Sequence, residues 1–159
     1  MLPQTGVYTL ILHLSTAIHV KVGKLGKQRF PKGYYAYTGS ALGLGASSLR
    51  KRVARHLQKK KRKFWHIDYL LAHESVVAIA IVAFQTSRKI ECKINRCLKD
   101  EMTAEIPVLG FGASDCKENC GSHLLFFPGI IEEEILIQKI RNVYDPKNSA
   151  TSILRLQST

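Results

Sequence analysis

The sequence predicts a small mixed α/β domain with a mostly antiparallel central sheet flanked by helices. Three observations predict it. Strand-like runs recur at 7–14, 17–22, 34–38, 75–84 and 123–127, rich in β-branched or aromatic residues. Helix-like stretches fall between and after them, at about 48–60, 87–99 and 130–144. The first three strands read as adjacent and antiparallel, a small sheet with one face available for covering. The 159 residues fit one domain of about 1–128, followed by a helical extension and tail over 129–159.

VYTLILHL at 7–14 is bounded by Gly6 and the Ser15-Thr16 turn, and AIHVKV at 17–22 alternates as a return strand would. A basic loop from Gly23 to Gly33 leads to a third strand at Tyr34–Thr38. Together these make a three-stranded antiparallel unit. After a glycine-rich turn, Ser47 or Ser48 is placed to cap a helix. Its apolar positions Leu49, Val53, Ala54 and Leu57 form one stripe, leaving Arg50, Lys51, Arg52, Arg55 and His56 on the flanks and outer face. Part of the KKKRK run at 59–63 suits the negative C-terminus of that helix. Phe64–His73 reads as a short helix, and SVVAIAIVAF at 75–84 as a strand covered on both faces. The next helix, 87–99, turns Ile90, Ile94, Cys97 and Leu98 inward, with Glu91 beside that stripe. A glycine-rich loop at 107–121 precedes the strand HLLFF, and Glu132–Glu134 open the last helix. The residues after Pro146 read as a loosely held tail.

Charge separates the two halves. No Asp or Glu precedes Asp68, and 14 of the 24 Lys and Arg residues lie before it, against 12 acids in all. The first half is suited to a negative partner, nucleic acid before an anionic membrane surface. No apolar run approaches the ~20 residues of a membrane span. No leader peptide is expected, so the location expected is cytoplasmic and the four cysteines are thiols or metal ligands.

Several residue types could act on a phosphate. Tyr8 and Tyr37 stand beside glycines on neighbouring strands, and Gly39 lets a phosphate approach the backbone. Arg52 and His56 are four apart and share a helix face. The first offers a planar fork of donors, the second a proton shuttle near neutral pH. Glu91 is the only acid between Ser75 and Lys99 and has the oxygen chemistry of a Mg²⁺ ligand. The plain alternatives are core tyrosines, a basic helix without chemistry, and a surface ion pair.

G-V-Y at 6–8, Y-T-G-S-A at 37–41 and L-R-K-R-V-A-R-H-L at 49–57 together resemble the GIY-YIG nuclease superfamily. R-F-P-K-G-Y-Y, W-H-I-D-Y-L-L and G-F-G-A-S-D-C resemble a small branch of it. The resemblance covers about residues 5–127. It implies a GIY-YIG-like fold and a nuclease that cuts DNA with one divalent ion, Mg²⁺ or Mn²⁺, in a setting such as DNA repair. Carried over, Tyr8 and Tyr37 are the motif tyrosines and Gly39 the motif glycine. Arg52 stabilises the phosphate, His56 matches a histidine of one part of the superfamily, and Glu91 binds the metal. One tyrosine would activate water, which requires nearby cations to lower its pKa. The half-motifs lie further apart than in the family's pattern, leaving room for the 17–22 strand and implying an enlarged sheet. Ser40 stands where some relatives have lysine.

Gly39, Ser40, Arg50, Lys51 and Arg55 are then expected to hold the phosphate backbone. Secondary candidates are His66, Asp68, Asp115, Cys116 and His123, with Asp68 and Asp115 next in line as metal ligands after Glu91. Cys92, Cys116, Cys120 and His123 have the donor types of a tetrahedral zinc site, although the C-x3-C-x2-H spacing fits no standard finger. Two other functions compete with the nuclease: a non-catalytic nucleic-acid-binding module on the same scaffold, and an RNA-binding or RNA-processing protein. The sequence does not indicate a protein partner.

Overall fold

A computed structural model describes residues 1–113, 116–130, 132–145, 147 and 150–156. Its centre is β1 (Gly6–Leu14), apolar at almost every position because both of its faces and both of its edges are covered. Strand β4 (Gly33–Ala41) pairs with it from Gly6↔Ala41 to Leu14↔Gly33, and β5 (Val76–Phe84) takes the other edge. Strands β6 (Leu124–Phe127) and β7 (Thr151–Arg155) complete a five-stranded sheet of order β6-β4-β1-β5-β7, with every neighbouring pair antiparallel. The fold is therefore mixed α and β on an antiparallel sheet, as the sequence predicts.

Strand alternation sorts the core into two layers. Tyr8, Leu10, Leu12, Tyr35 and Tyr37 point to one face, beneath helices α1 (Leu49–Leu57) and α2 (His66–Leu71). Val7, Ile11, Ala36 and Leu125 point to the other, beneath α3 (Glu91–Met102) and α4 (Glu133–Tyr144). Helix α4 buries Leu136, Ile137 and Ile140 in that second layer, so residues beyond 128 build part of the same core.

The region between β1 and β4 departs from expectation. Residues 17–22 do not return along β1, since β4 and β5 occupy both of its edges. Instead β2 (Ile18–Lys21) pairs with β3 (Lys27–Phe30) in a separate two-stranded ribbon. The central sheet is thus not enlarged by this insertion. The second ribbon strand is hidden in a basic stretch, where only Gln28 and Phe30 turn inward while Lys27 and Arg29 stay exposed. Ile18, Val22 and Phe30 anchor the ribbon in the first core layer.

The tail is also structured. Thr151–Arg155 runs along β5, from Phe84↔Thr151 to Ala80↔Arg155. As a sheet edge it is held by backbone pairing, with Ile153 partly buried and Leu154 exposed. Among the described residues, no helix is long and apolar enough to cross a membrane.

Candidate active site

The register of β1 against β4 places Tyr8 opposite Gly39 and Leu10 opposite Tyr37, with both tyrosine rings on the α1 side. The phenol of Tyr8 crosses Gly39 so closely that a Cβ there would stand 2.7 Å from Tyr8 Oη and 2.9 Å from Cζ. Gly39→Ala is therefore expected to push the ring aside at about 1–3 kcal/mol of stability, measured by urea unfolding. Tyr8 Oη then reaches His56 Nε2 at 2.7 Å. Loss of that contact in Gly39→Ala should also move the His56 ring resonances by NMR.

Helix α1 starts where Ser48 Oγ accepts from the Lys51 amide at 3.3 Å. Its turn carries Arg52 and His56 toward the tyrosines. Arg52 Nη1 donates to the Ser40 carbonyl at 2.5 Å, and the guanidinium lies 5.0 Å from the centroid of the Trp65 ring. Tyr8, Tyr37, Arg52, His56 and Glu91 line a single cleft of about 660 Å³, with Gly39 and Ser40 in its wall. Glu91 opens α3 rather than sitting mid-helix, so its carboxylate stands at the positive end of the helix dipole. Its Oε2 is buried with no hydrogen-bond partner among the described residues. A buried, unpartnered carboxylate oxygen in a cleft fits a divalent-ion ligand.

Burial decides the protonation states. It pushes Tyr8 well above the ordinary phenol value, with the Tyr37 phenol adding to it and Arg52 only partly opposing it. Burial likewise raises Tyr37 to about 12, against the pull of Arg52. The expectation of a tyrosine acidified by nearby cations is thus reversed, because desolvating the phenolate outweighs the one close guanidinium. His56 is lowered to about 4, mainly by burial, with Asp68 opposing less strongly. Its Nδ1 is buried without a partner among the described residues. Both members of the Tyr8–His56 pair are accordingly neutral at pH 7.

That shift has a consequence for stability. Between pH 6.5 and about 4 the unfolded chain binds a proton at residue 56 that the folded chain does not. Stability is complete above pH 6.5 and falls as the pH drops toward 4, by about 3 kcal/mol in all. Urea midpoints measured across this window should show that slope in the wild type and lose most of it in His56→Gln.

Other expected residues lie elsewhere. Arg55 turns away from the cleft and grips Asp68, Nη1 to Oδ1 and Nη2 to Oδ2 at 2.9 Å each. Asp68 also accepts from the Phe64 and Trp65 amides, so it anchors the start of α2 and is not a cleft ligand. His66 is likewise committed, its Nδ1 accepting from the Gly112 amide at 2.9 Å. Arg50 bonds the Leu2 carbonyl beside β7, and Lys51 is exposed outside the cleft. Asp115 lies outside the described residues. Lys61 caps α1, donating to the carbonyls of Arg55, His56 and Gln58 at 3.0, 2.6 and 2.9 Å.

Among the cleft residues that were not expected are Trp65, Lys89, Lys117 and a second acid, Glu118. Trp65 is the one with a sequence signal. It is the chain's single tryptophan and lies two residues beyond the basic run, where Arg52 and Arg55, three apart on α1, can both lie against its face.

Beside Glu91, the cleft wall contains a second chemical group. The donor atoms of Cys92, Cys116, Cys120 and His123 all lie within 4.8 Å of one another. Cys92 Sγ is 2.7 Å from Cys120 Sγ, 3.2 Å from Cys116 Sγ and 3.4 Å from His123 Nε2. The Cys92 and His123 side chains are buried, and three thiols and an imidazole so close can bind a metal ion.

Comparison with curated proteins and with solved structures gives no match. The family described as Domain of unknown function DUF123 matches residues 7–144, a span that takes in every residue named in the cleft and its metal-binding group. The chain belongs to that family.

Proposed function

We propose that this chain is a divalent-metal-dependent DNA endonuclease of the GIY-YIG kind. The observation that carries the reading is convergence: Tyr8 from β1, Tyr37 from β4, Arg52 and His56 from α1, and Glu91 from α3 line one cleft. Glu91 would hold Mg²⁺ or Mn²⁺ through its unpartnered oxygen. When bound, such an ion supplies positive charge to a phosphate oxygen and to the leaving group.

The remaining roles belong to the chain. Arg52 faces the scissile phosphate and offsets charge that develops on it. Tyr8 is the better water-activating tyrosine, because it is the one hydrogen-bonded to His56. Its phenol is protonated, so it acts as a relay: Oη takes the proton of water while its own proton passes to His56 Nε2. Phosphate in the cleft brings negative charge toward His56 and raises its affinity for that proton. Lys89 and Lys117 hold neighbouring phosphates, as do the exposed lysines of the β2–β3 ribbon and the 59–63 run. The Cys92, Cys116, Cys120 and His123 donors suit zinc, which favours thiolate and imidazole in a tetrahedron.

The test is incubation of the protein with nicked, branched and plasmid DNA in Mg²⁺ or Mn²⁺, beside Glu91→Ala. Cleavage by the wild type and its loss in the variant are expected. Tight, salt-sensitive binding without cleavage in either metal would assign a non-catalytic module instead. RNA outcompeting DNA of matched length would move the assignment to an RNA-directed role.

A further inference from the structure

We infer that a single metal ion held by Cys92, Cys116, Cys120 and His123 is a clasp that positions Glu91 against the β4 strand. The inference deepens, and rests on, the reading of Glu91 as the divalent-ion ligand of the cleft. Four donors around one ion at ~2.3 Å would stand about 3.8 Å apart. Four of the six separations are 2.7 to 3.6 Å, and all the donors lie within 4.8 Å of one another, close enough for one ion. A four-iron cluster holds its thiolates at the outer corners of a cube and needs them further apart.

The donors come from three places that the sequence holds apart. Cys92 lies in the first turn of α3, directly after Glu91. Cys116 and Cys120 belong to the glycine-rich loop, and His123 immediately precedes β6. His123 is fixed to the sheet, since its carbonyl accepts from the Thr38 amide of β4 at 3.0 Å. An ion at this point therefore ties the residue after Glu91 to the strand that carries Tyr37. Glu91 has no other visible restraint on its buried oxygen. Cys92, Cys116 and His123 also line the cleft, so the clasp forms part of its wall.

The test uses the full-length protein with Co²⁺ as the tetrahedral probe and Mn²⁺ as the cleft probe. Wild type and Cys97→Ser should give the visible bands of tetrahedral, thiolate-bound Co²⁺. Cys97 lies on α3 outside the group. Cys120→Ser and His123→Ala should lose those bands, and His123→Cys should restore them with more thiolate character. Removing zinc from the wild type should weaken Mn²⁺ binding, followed by electron paramagnetic resonance, by about ten-fold or more. It should also raise amide hydrogen exchange in the first turn of α3, while circular dichroism reports an intact sheet. Glu91→Ala should lose Mn²⁺ and keep the Co²⁺ bands. Absence of tetrahedral Co²⁺ bands in the wild type overturns the inference. So do unchanged α3 exchange and unchanged Mn²⁺ affinity after zinc removal. If exchange responds but Mn²⁺ never binds, the clasp stands and the metal role of Glu91 falls. If Mn²⁺ binding depends on zinc but no DNA is cut, the clasp stands and the nuclease reading falls.

Discussion

Asp68→Ala is expected to destabilise the fold by about 3 kcal/mol or more, read as a shift in the urea midpoint. Asp68 is fully buried, and its two oxygens serve four donors: both terminal nitrogens of Arg55 and the amides of Phe64 and Trp65. Burial alone would raise the carboxyl; Arg55 and the two amides outweigh it and hold Asp68 below the ordinary carboxylate range. Alanine leaves the two amides at the start of α2 without their acceptor and Arg55 without its partner. Arg55 is only partly buried, at 28 % exposure, and keeps the Arg62 carbonyl, so it recovers some solvation. Arg55→Ala is the harsher half of the cycle, because it strands a buried charge. Acid gives a second reading of the same site. The stability from Asp68 is present above about pH 4 and lost as the pH falls below it, beneath the window assigned to His56. The two contributions are therefore separable in one titration. A loss below ~1 kcal/mol in Asp68→Ala would show that the pair does not hold α2 to α1.

The same residue shows what a sequence can and cannot reveal. Asp68 is conspicuous as the first acid after a basic half, which makes it a candidate for chemistry. Only the fold reveals that Arg55, thirteen residues earlier, has already claimed it. Local signals survive folding well. Ser48 caps α1 because the requirement for an acceptor is met within three residues. Arg52 and His56 share a face because helical geometry alone places them there. Pairings at long range do not survive as well, since they depend on which edges remain free. Residues 17–22 look like a return strand in isolation, yet β4 and β5 take both edges of β1 and leave β2 to pair with β3. Tyrosine acidity fails for a related reason. A tyrosine that activates water would need nearby cations to lower its pKa, but burial of both rings dominates over the charge of Arg52. The thiols are intermediate: their residue types announce a metal, but their irregular spacing hides the site until the glycine loop folds back onto α3.

Arg52→Ala is expected to reduce DNA cleavage by about 10²–10³-fold, with a much smaller effect on binding. Arg52 is half-buried in the cleft, fixed on one side by the Ser40 carbonyl and on the other by the Trp65 face. Both contacts leave the guanidinium charge intact and restrict its orientation, so little reorganisation remains when charge develops on a phosphate. Lysine cannot reproduce this arrangement. It lacks the planar fork that bonds the carbonyl and stacks on the indole while still presenting donors to the cleft. Arg52→Lys should therefore recover less than a tenth of the lost rate, although it restores the charge. If lysine restored most of the activity, a point charge would suffice and the orientation argument would fail. Lys51→Ala provides the contrast one position away. Lys51 is exposed outside the cleft, so its loss should weaken DNA affinity and reduce the salt slope by about one, leaving single-turnover cleavage unchanged. Neighbouring bases on one helix would then divide between chemistry and backbone contact according to the side of α1 each occupies. If both variants instead lost affinity alone, α1 would be a binding surface and the cleft would not be catalytic.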